Sequence, residues 1–319
     1  MKRIAVLTSG GDAPGMNAAI RGVVRTALYE DMEIIGFHRG YAGLLNKEYH
    51  QLDVSSVGGI LEEGGTILRT FRCPEFKERE AQEESVKNLE ELGIEGLVVL
   101  GGEGSLQGAM ALDGIWDGSV IGLPASIDND VEGTDLCLGF DTAVNTALES
   151  VDRIRDTATS HERLFIIEVM GRTSGHIALS VGLAGGAEEI LIPEHEYSVE
   201  EIGHRIQEGR NKGKLHYIIV LAEGAGKGFK LAGELEELSG MEIRVAVLGH
   251  IQRGGSPTAW DRILGGKMGY FAVRALVEGG SGVCVGVRSG QRNLVPFAEA
   301  VSNKELSSTN EKIAAVLAT

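Results

Sequence analysis

The stretch Arg3-Ile4-Ala5-Val6-Leu7-Thr8-Ser9-Gly10-Gly11-Asp12-Ala13-Pro14-Gly15-Met16-Asn17 governs the reading of the whole chain. A short apolar run ends in a hydroxyl- and glycine-rich turn, and an amphipathic segment follows up to Tyr29. That is a buried strand, a tight loop and a helix, with backbone amides aimed along the helix N-terminus as a phosphate cradle. The loop has no Gly-Lys-Ser/Thr ending and does not keep the Gly-x-Gly-x-x-Gly spacing, so neither common nucleotide fingerprint fits. The same style recurs. Glu33–Phe37, Gly96–Leu100, Val120–Leu123, Leu164–Met170, Glu189–Ile192, His216–Ala222, Arg244–Leu248 and Gly282–Val287 read as strands. Ala13–Tyr29, Glu80–Leu92, Thr142–Thr157 and Ser198–Lys212 read as helices. Such alternation predicts an α/β protein with largely parallel sheets and ligands at the carboxyl ends of the strands.

The chain has 319 residues, enough for two lobes, and 43% are hydrophobic. Its net charge of −16 argues against nucleic acid and anionic membrane as partners. No apolar run approaches the roughly 18 residues of a membrane span. The start of the chain reads as a strand rather than a signal peptide. Cys73, Cys137 and Cys284 lie far apart without metal-ligand spacing, which predicts free thiols in a reducing cytoplasm.

Glycine is abundant, with 46 residues, and several pairs follow apolar runs. In Leu100-Gly101-Gly102-Glu103-Gly104-Ser105 a carboxylate sits amid glycines, which suits a magnesium ligand beside phosphates; a solvated loop acid is the competing reading. Phe71-Arg72-Cys73-Pro74-Glu75-Phe76-Lys77 offers Arg72 to a transferring phosphoryl group and Phe76 to a purine, or is an ordinary surface loop. Pro124-Ala125-Ser126-Ile127-Asp128-Asn129-Asp130 sets two carboxylates, a hydroxyl and an amide at one strand end, a cluster suited to a base and a metal.

Taken with Met170-Gly171-Arg172, Ala222-Glu223-Gly224 and Leu248-Gly249-His250-Ile251-Gln252-Arg253-Gly254-Gly255-Ser256-Pro257, these motifs resemble, in order and spacing, the bacterial ATP-dependent 6-phosphofructokinases. The resemblance runs from Met1 to about Val287. It implies the phosphofructokinase fold of two Rossmann-like α/β/α lobes: a nucleotide-binding lobe of residues 1–139 plus 252–303, a sugar-phosphate lobe of 140–251, and a C-terminal segment 304–319. It implies phosphorylation of fructose 6-phosphate at its 1-hydroxyl, in the cytoplasm, with ATP as co-substrate and Mg2+ as cofactor. Asp128 is then the general base, with Ser126, Arg72 and Arg172 beside it. Gly11, Tyr41, Arg72, Cys73, Phe76, Lys77, Gly102, Glu103, Gly104, Ser105 and Gly108 surround ATP, and Glu103 and Asp130 serve the metal. Ser126, Asp128, Arg163, Met170, Gly171, Arg172, Glu223, Arg244, His250 and Arg253 hold the sugar phosphate. Arg163 and Arg244 come from a neighbouring subunit, which implies a homotetramer with sites at its interfaces. Arg21, Arg25, Arg155, Gly186, Glu188, Lys212 and Lys214 resemble an effector site for ADP or phosphoenolpyruvate. Singly, His250 also reads as a core histidine, Met170 as packing and Glu223 as a turn cap.

The sequence departs from that pattern at several points. Glu103 stands for Asp, Ala125 for Gly, Ser126 for Thr, Lys77 for Arg and His176 for Asp, while Val54 and Glu63 replace basic effector-region residues. Ala125 fits only a backbone with negative φ. Pyrophosphate-dependent relatives carry Asp at the position of Gly104 and Lys at that of Ala125, so this chain reads as ATP-dependent. The alternatives are a pyrophosphate-dependent enzyme, a kinase for another sugar phosphate, or a weakly active regulatory paralogue.

Overall fold

A computed structural model describes residues 1–161 and 163–317. The chain divides into two compact units. The first comprises Met1–Thr142 with Arg253–Lys304; the second comprises Ala143–Gln252 with the chain from Glu305 on. In chain order the elements are β1 (Arg3–Thr8), α1 (Met16–Tyr29), β2 (Glu33–Phe37), α2 (Tyr41–Asn46), β3 (Tyr49–Gln51), α3 (Arg79–Glu91), β4 (Gly96–Gly101), α4 (Glu103–Asp113), β5 (Ser119–Pro124) and α5 (Phe140–His161). There follow β6 (Leu164–Val169), α6 (His176–Gly185), β7 (Glu189–Leu191), α7 (Val199–Asn211), β8 (Tyr217–Ala222), α8 (Gly228–Ser239) and β9 (Ile243–Val247). The last are α9 (Ala259–Val277), β10 (Val283–Arg288), β11 (Gln291–Pro296), α10 (Phe297–Ala300) and α11 (Ser308–Leu317).

The first unit holds a seven-stranded sheet in the order β11-β10-β5-β4-β1-β2-β3. Its five inner strands are parallel, and β3 and β11 run antiparallel at the two edges. Strand β4 is buried at every residue, as a central parallel strand covered on both faces must be. The second unit holds a parallel four-stranded sheet, β7-β8-β6-β9, with β8 buried throughout. Among the described residues, no helix is long and apolar enough to cross a membrane.

The expected strands and helices are present, with shifts at their ends. Helix α1 starts at Met16 rather than Ala13, since Pro14 and a left-handed Gly15 (φ 98°) hold the chain outside the helix. Helix α5 starts at Phe140, before Thr142, because a distant carboxylate caps it. The fully buried Asp261 accepts hydrogen bonds from Gly139 N (2.8 Å), Thr142 N (2.9 Å) and the Thr142 hydroxyl. Burial pushes the Asp261 carboxyl up, and the three donors act against that shift.

Helices α1 and α9 touch through glycine. A Cβ on Gly269 would lie 2.5 Å from Ala19 O and 2.6 Å from Val23 N, both backbone atoms of α1. The substitution Gly269→Ala is therefore expected to overpack this crossing and cost about 1–3 kcal/mol. Thermal unfolding would then shift down by several degrees; an unchanged midpoint would mean that the two helices separate freely.

Candidate active site

In the first unit, parallel pairing brings the ends of β1, β4 and β5 to one edge of the sheet. The connections after them are tied to each other by backbone: Ser9 N donates to Leu100 O (2.9 Å) and Ala125 N to Gly101 O (3.0 Å). Gly101 has no room for a side chain, since a Cβ there would lie 2.7 Å from Ser9 O. Beside these loops lies a cavity of about 850 Å³. Gly11, Tyr41, Arg72, Cys73, Phe76, Lys77, Gly102, Glu103, Gly104, Ser105, Gly108 and Asp130 all line it, so the residues expected around ATP share one space.

The wall of that cavity is braced. Tyr41 and Phe76 stack with ring centroids 4.0 Å apart, and the Tyr41 hydroxyl donates to Ser105 O (2.6 Å). Burial raises the Tyr41 phenol, which keeps it a neutral donor. Phe76 is thus a wall element of the cavity, buried and with one ring face stacked on Tyr41. Glu103 opens α4, where the helix N-terminus favours an acid, and its carboxylate accepts from Gln107 Nε2 (2.8 Å) one turn on. The Arg253 guanidinium lies against Gly11, where a Cβ would meet Nη1 at 2.0 Å, so Arg253 borders the first phosphate loop.

The turn after β5 carries Asp128 and Asp130. Ala125 is buried and lies outside the left-handed region, as its side chain requires. The Ser126 hydroxyl donates to Asp130 Oδ1 (2.8 Å), so it orients the carboxylate that lines the cavity. Asn129, between the two acids, has φ 53°. Its buried side-chain oxygen accepts from Cys137 N (2.8 Å). Among the described residues no three or more His, Cys, Asp and Glu converge as a metal cage. Magnesium takes only one or two protein carboxylates beside phosphate oxygens, and the oxygen donors Asp130 and Glu103 on one cavity suit that demand.

The second unit carries most of the residues expected to hold the sugar phosphate. Met170-Gly171-Arg172 leaves the end of β6, and Glu223 leaves the end of the adjacent β8. Gly171 has φ 129° and a Cβ there would lie 2.4 Å from Ser174 O, so only glycine fits. Glu223 N donates to Val169 O (2.9 Å) and Gly224 N to Gly171 O (3.0 Å), which binds the two strand ends together. Arg172 and His250 are exposed; a core role for His250 is thereby excluded. Arg163 and Arg244 both pair with Glu242, Arg163 at 3.6 Å. Gln252 had no assigned role in the sequence, yet it is fully buried and its Oε1 accepts from Met170 N (2.8 Å). A long polar residue inside a glycine-rich motif carries no periodic signal; only its burial reveals it as the anchor of the Met170 turn.

Of the expected effector residues, Glu188, Lys212 and Lys214 line one cavity of about 730 Å³ in the second unit. Lys214 Nζ pairs with Glu188 Oε1 (3.2 Å), and Ile218 N donates to Glu188 Oε2 (2.6 Å). Arg155 donates to Gly185 O and to Gly186 O (2.9 Å). Arg21 and Arg25 stand one turn apart on α1 of the first unit, Arg21 half-buried and Arg25 exposed.

The sequence matches the family Phosphofructokinase over residues 3–276. It is 56% identical over 293 residues to the ATP-dependent 6-phosphofructokinase of Bacillus licheniformis, covering 91% of each chain. It is 55% identical over 291 residues to the protein of the same name from Bacillus subtilis, covering 91% of this chain and 90% of the relative. A solved structure of phosphofructokinase from Saccharomyces cerevisiae is similar with a TM-score of 0.89 at 37% identity. That likeness covers 99% of this chain and 47% of the yeast chain, so this chain spans about half the yeast length. Similarity of this depth and reach makes the chain a member of the phosphofructokinase family.

Proposed function

We propose that this chain is an ATP-dependent 6-phosphofructokinase, transferring the γ-phosphoryl group of ATP to the 1-hydroxyl of fructose 6-phosphate to give fructose 1,6-bisphosphate in glycolysis. The observation that carries the reading is the single cavity at the ends of β1, β4 and β5, where the glycine loops, the Arg72–Lys77 loop and Asp130 meet. Identity above 50% to curated enzymes of that name supports it.

Asp128 takes the proton of the sugar 1-hydroxyl as the oxygen attacks. Arg72 and Arg172 supply positive charge for the transferring phosphoryl group. Backbone amides around Gly11 and Gly102–Ser105 bind the nucleotide phosphates, and Tyr41, Cys73, Phe76, Lys77 and Gly108 shape the rest of its pocket. Asp130 and Glu103 are the residues that would hold Mg2+, directly or through water, and the ion would supply neutralisation of phosphate charge. Met170, Gly171, Arg172, Glu223, His250 and Arg253 hold the sugar phosphate. Arg163 and Arg244 act on the 6-phosphate of a neighbouring subunit's substrate, where phosphate replaces Glu242 as the partner of their guanidinium groups. That sharing requires an oligomer, read here as a homotetramer. The cavity of Glu188, Lys212 and Lys214, with Arg155, Gly186, Arg21 and Arg25, is read as the effector site for ADP or phosphoenolpyruvate. A cytoplasmic setting suits three free cysteines.

The base assignment predicts that Asp128→Asn lowers kcat by roughly 10²- to 10⁴-fold with the fructose 6-phosphate KM nearly unchanged in steady-state assays. Retained turnover would remove Asp128 from that role.

The donor reading yields a second test. No atom lies within 4 Å of a Cβ built on Gly104, so the position opens into free space. Gly104→Asp is expected to fold with an unchanged thermal midpoint and to lose ATP-dependent kcat/KM by at least about 10-fold, since a carboxylate then occupies phosphate space. Undiminished use of ATP would refute the steric account.

A further inference from the structure

Asn129 lies between the proposed base Asp128 and the proposed metal carboxylate Asp130, and its φ of 53° is uncommon for a residue with a side chain. Asparagine tolerates this conformation better than other residues with side chains, and here its side chain is held as well. One fixing contact is the Cys137 amide on Asn129 Oδ1. The turn is also closed by Asn129 N donating to Ser126 O (3.3 Å), and a second side-chain contact comes from far along the chain. Lys304 Nζ donates to Asn129 Oδ1 (3.0 Å), to Thr134 O (2.8 Å) and to Asp135 O (2.7 Å). Two donors thus fill the two acceptor sites of the Asn129 oxygen, and three acceptors meet the three protons of the ammonium. Backbone contacts hold the same two segments together: Glu132 N donates to Ala300 O (3.1 Å), and Val131 forms an antiparallel bridge with Asn303. Lys304 is largely withdrawn from water, which lowers its pKa, so its charge is kept at a cost that a purely surface lysine would not bear. It also lies beyond residues 3–276, the span of the family match.

We propose that Lys304 is a positioning residue for phosphoryl transfer: through Asn129 it locks the turn that aims the carboxylates of Asp128 and Asp130. This inference rests on the reading of Asp128 as base. It makes the segment after β11 part of what positions the catalytic turn.

The test is steady-state kinetics of the full-length enzyme with Lys304→Met, which keeps the aliphatic stem and removes the three donors. The expected result is a fall in kcat of about 10- to 100-fold, the scale of a reacting group displaced by ~1 Å, with both KM values within about threefold of the parent. A lysine that merely supports the fold would lower the thermal midpoint and leave kcat per folded protein intact, and that outcome overturns the proposal. Should Lys304→Met not fold, Asn129→Gly serves instead, because glycine adopts the turn freely but lacks the acceptor. A selective loss of kcat there supports the proposal, and an unchanged kcat overturns it. In the double variant, action through Asn129 predicts a loss no larger than that of the slower single variant, whereas multiplied losses overturn that route. Asp128→Asn measured alongside separates the two readings. Full turnover in it overturns the base assignment and this inference together; a large loss in it, with full turnover in Lys304→Met, overturns the positioning role alone.

Discussion

Parallel pairing of β1, β4 and β5 is the constraint on which the first unit depends. Because the three strands run the same way and are hydrogen-bonded neighbours, their carboxyl ends fall on one edge, and three loops distant in sequence must share it. Sharing leaves little room, so Gly101 meets Ser9 backbone and Gly11 meets the Arg253 guanidinium. Glycine is selected here by crowding, and the amides it exposes are what phosphate needs. Strand β4, apolar and buried at every residue, lies between β1 and β5 and anchors the loops that follow them in the core of the sheet.

Charge is arranged with similar economy. A protein of net charge −16 that binds anions must keep its cations local and oriented. Arg163 and Arg244 share Glu242, and Lys214 leans on Glu188, whose other oxygen holds a backbone amide. The exposed Glu242 pairs add little stability. What they do is gather two guanidinium groups at one carboxylate. Ser126 does the equivalent for an acid, its hydroxyl holding the Asp130 carboxylate.

Much of this was legible in the sequence, for physical reasons that differ by element. Strands such as Gly96–Gly101 are short continuous apolar runs bounded by glycine, and that length and punctuation favour a buried strand over a helix. The glycine loops after β1 and β4 were legible as sharp turns at strand ends, which is where they stand. Strand β11 was not, because Gln291, Arg292 and Asn293 lie at an exposed antiparallel edge and are held by pairing with β10 rather than by burial. The early start of α5 was hidden because its cap, Asp261, is more than a hundred residues away. Gln252 and Lys304 were missed for the same reason: each acts by a long-range hydrogen bond to a backbone or side-chain oxygen or amide, which leaves no local pattern.

The most direct measurement is phosphoryl transfer to fructose 6-phosphate by the purified protein with magnesium, with ATP and pyrophosphate compared at equal concentration and the product position read by phosphorus NMR. The account predicts fructose 1,6-bisphosphate formed with ATP and not with pyrophosphate. Product formed with pyrophosphate instead, or no product with either donor from folded protein, would contradict it.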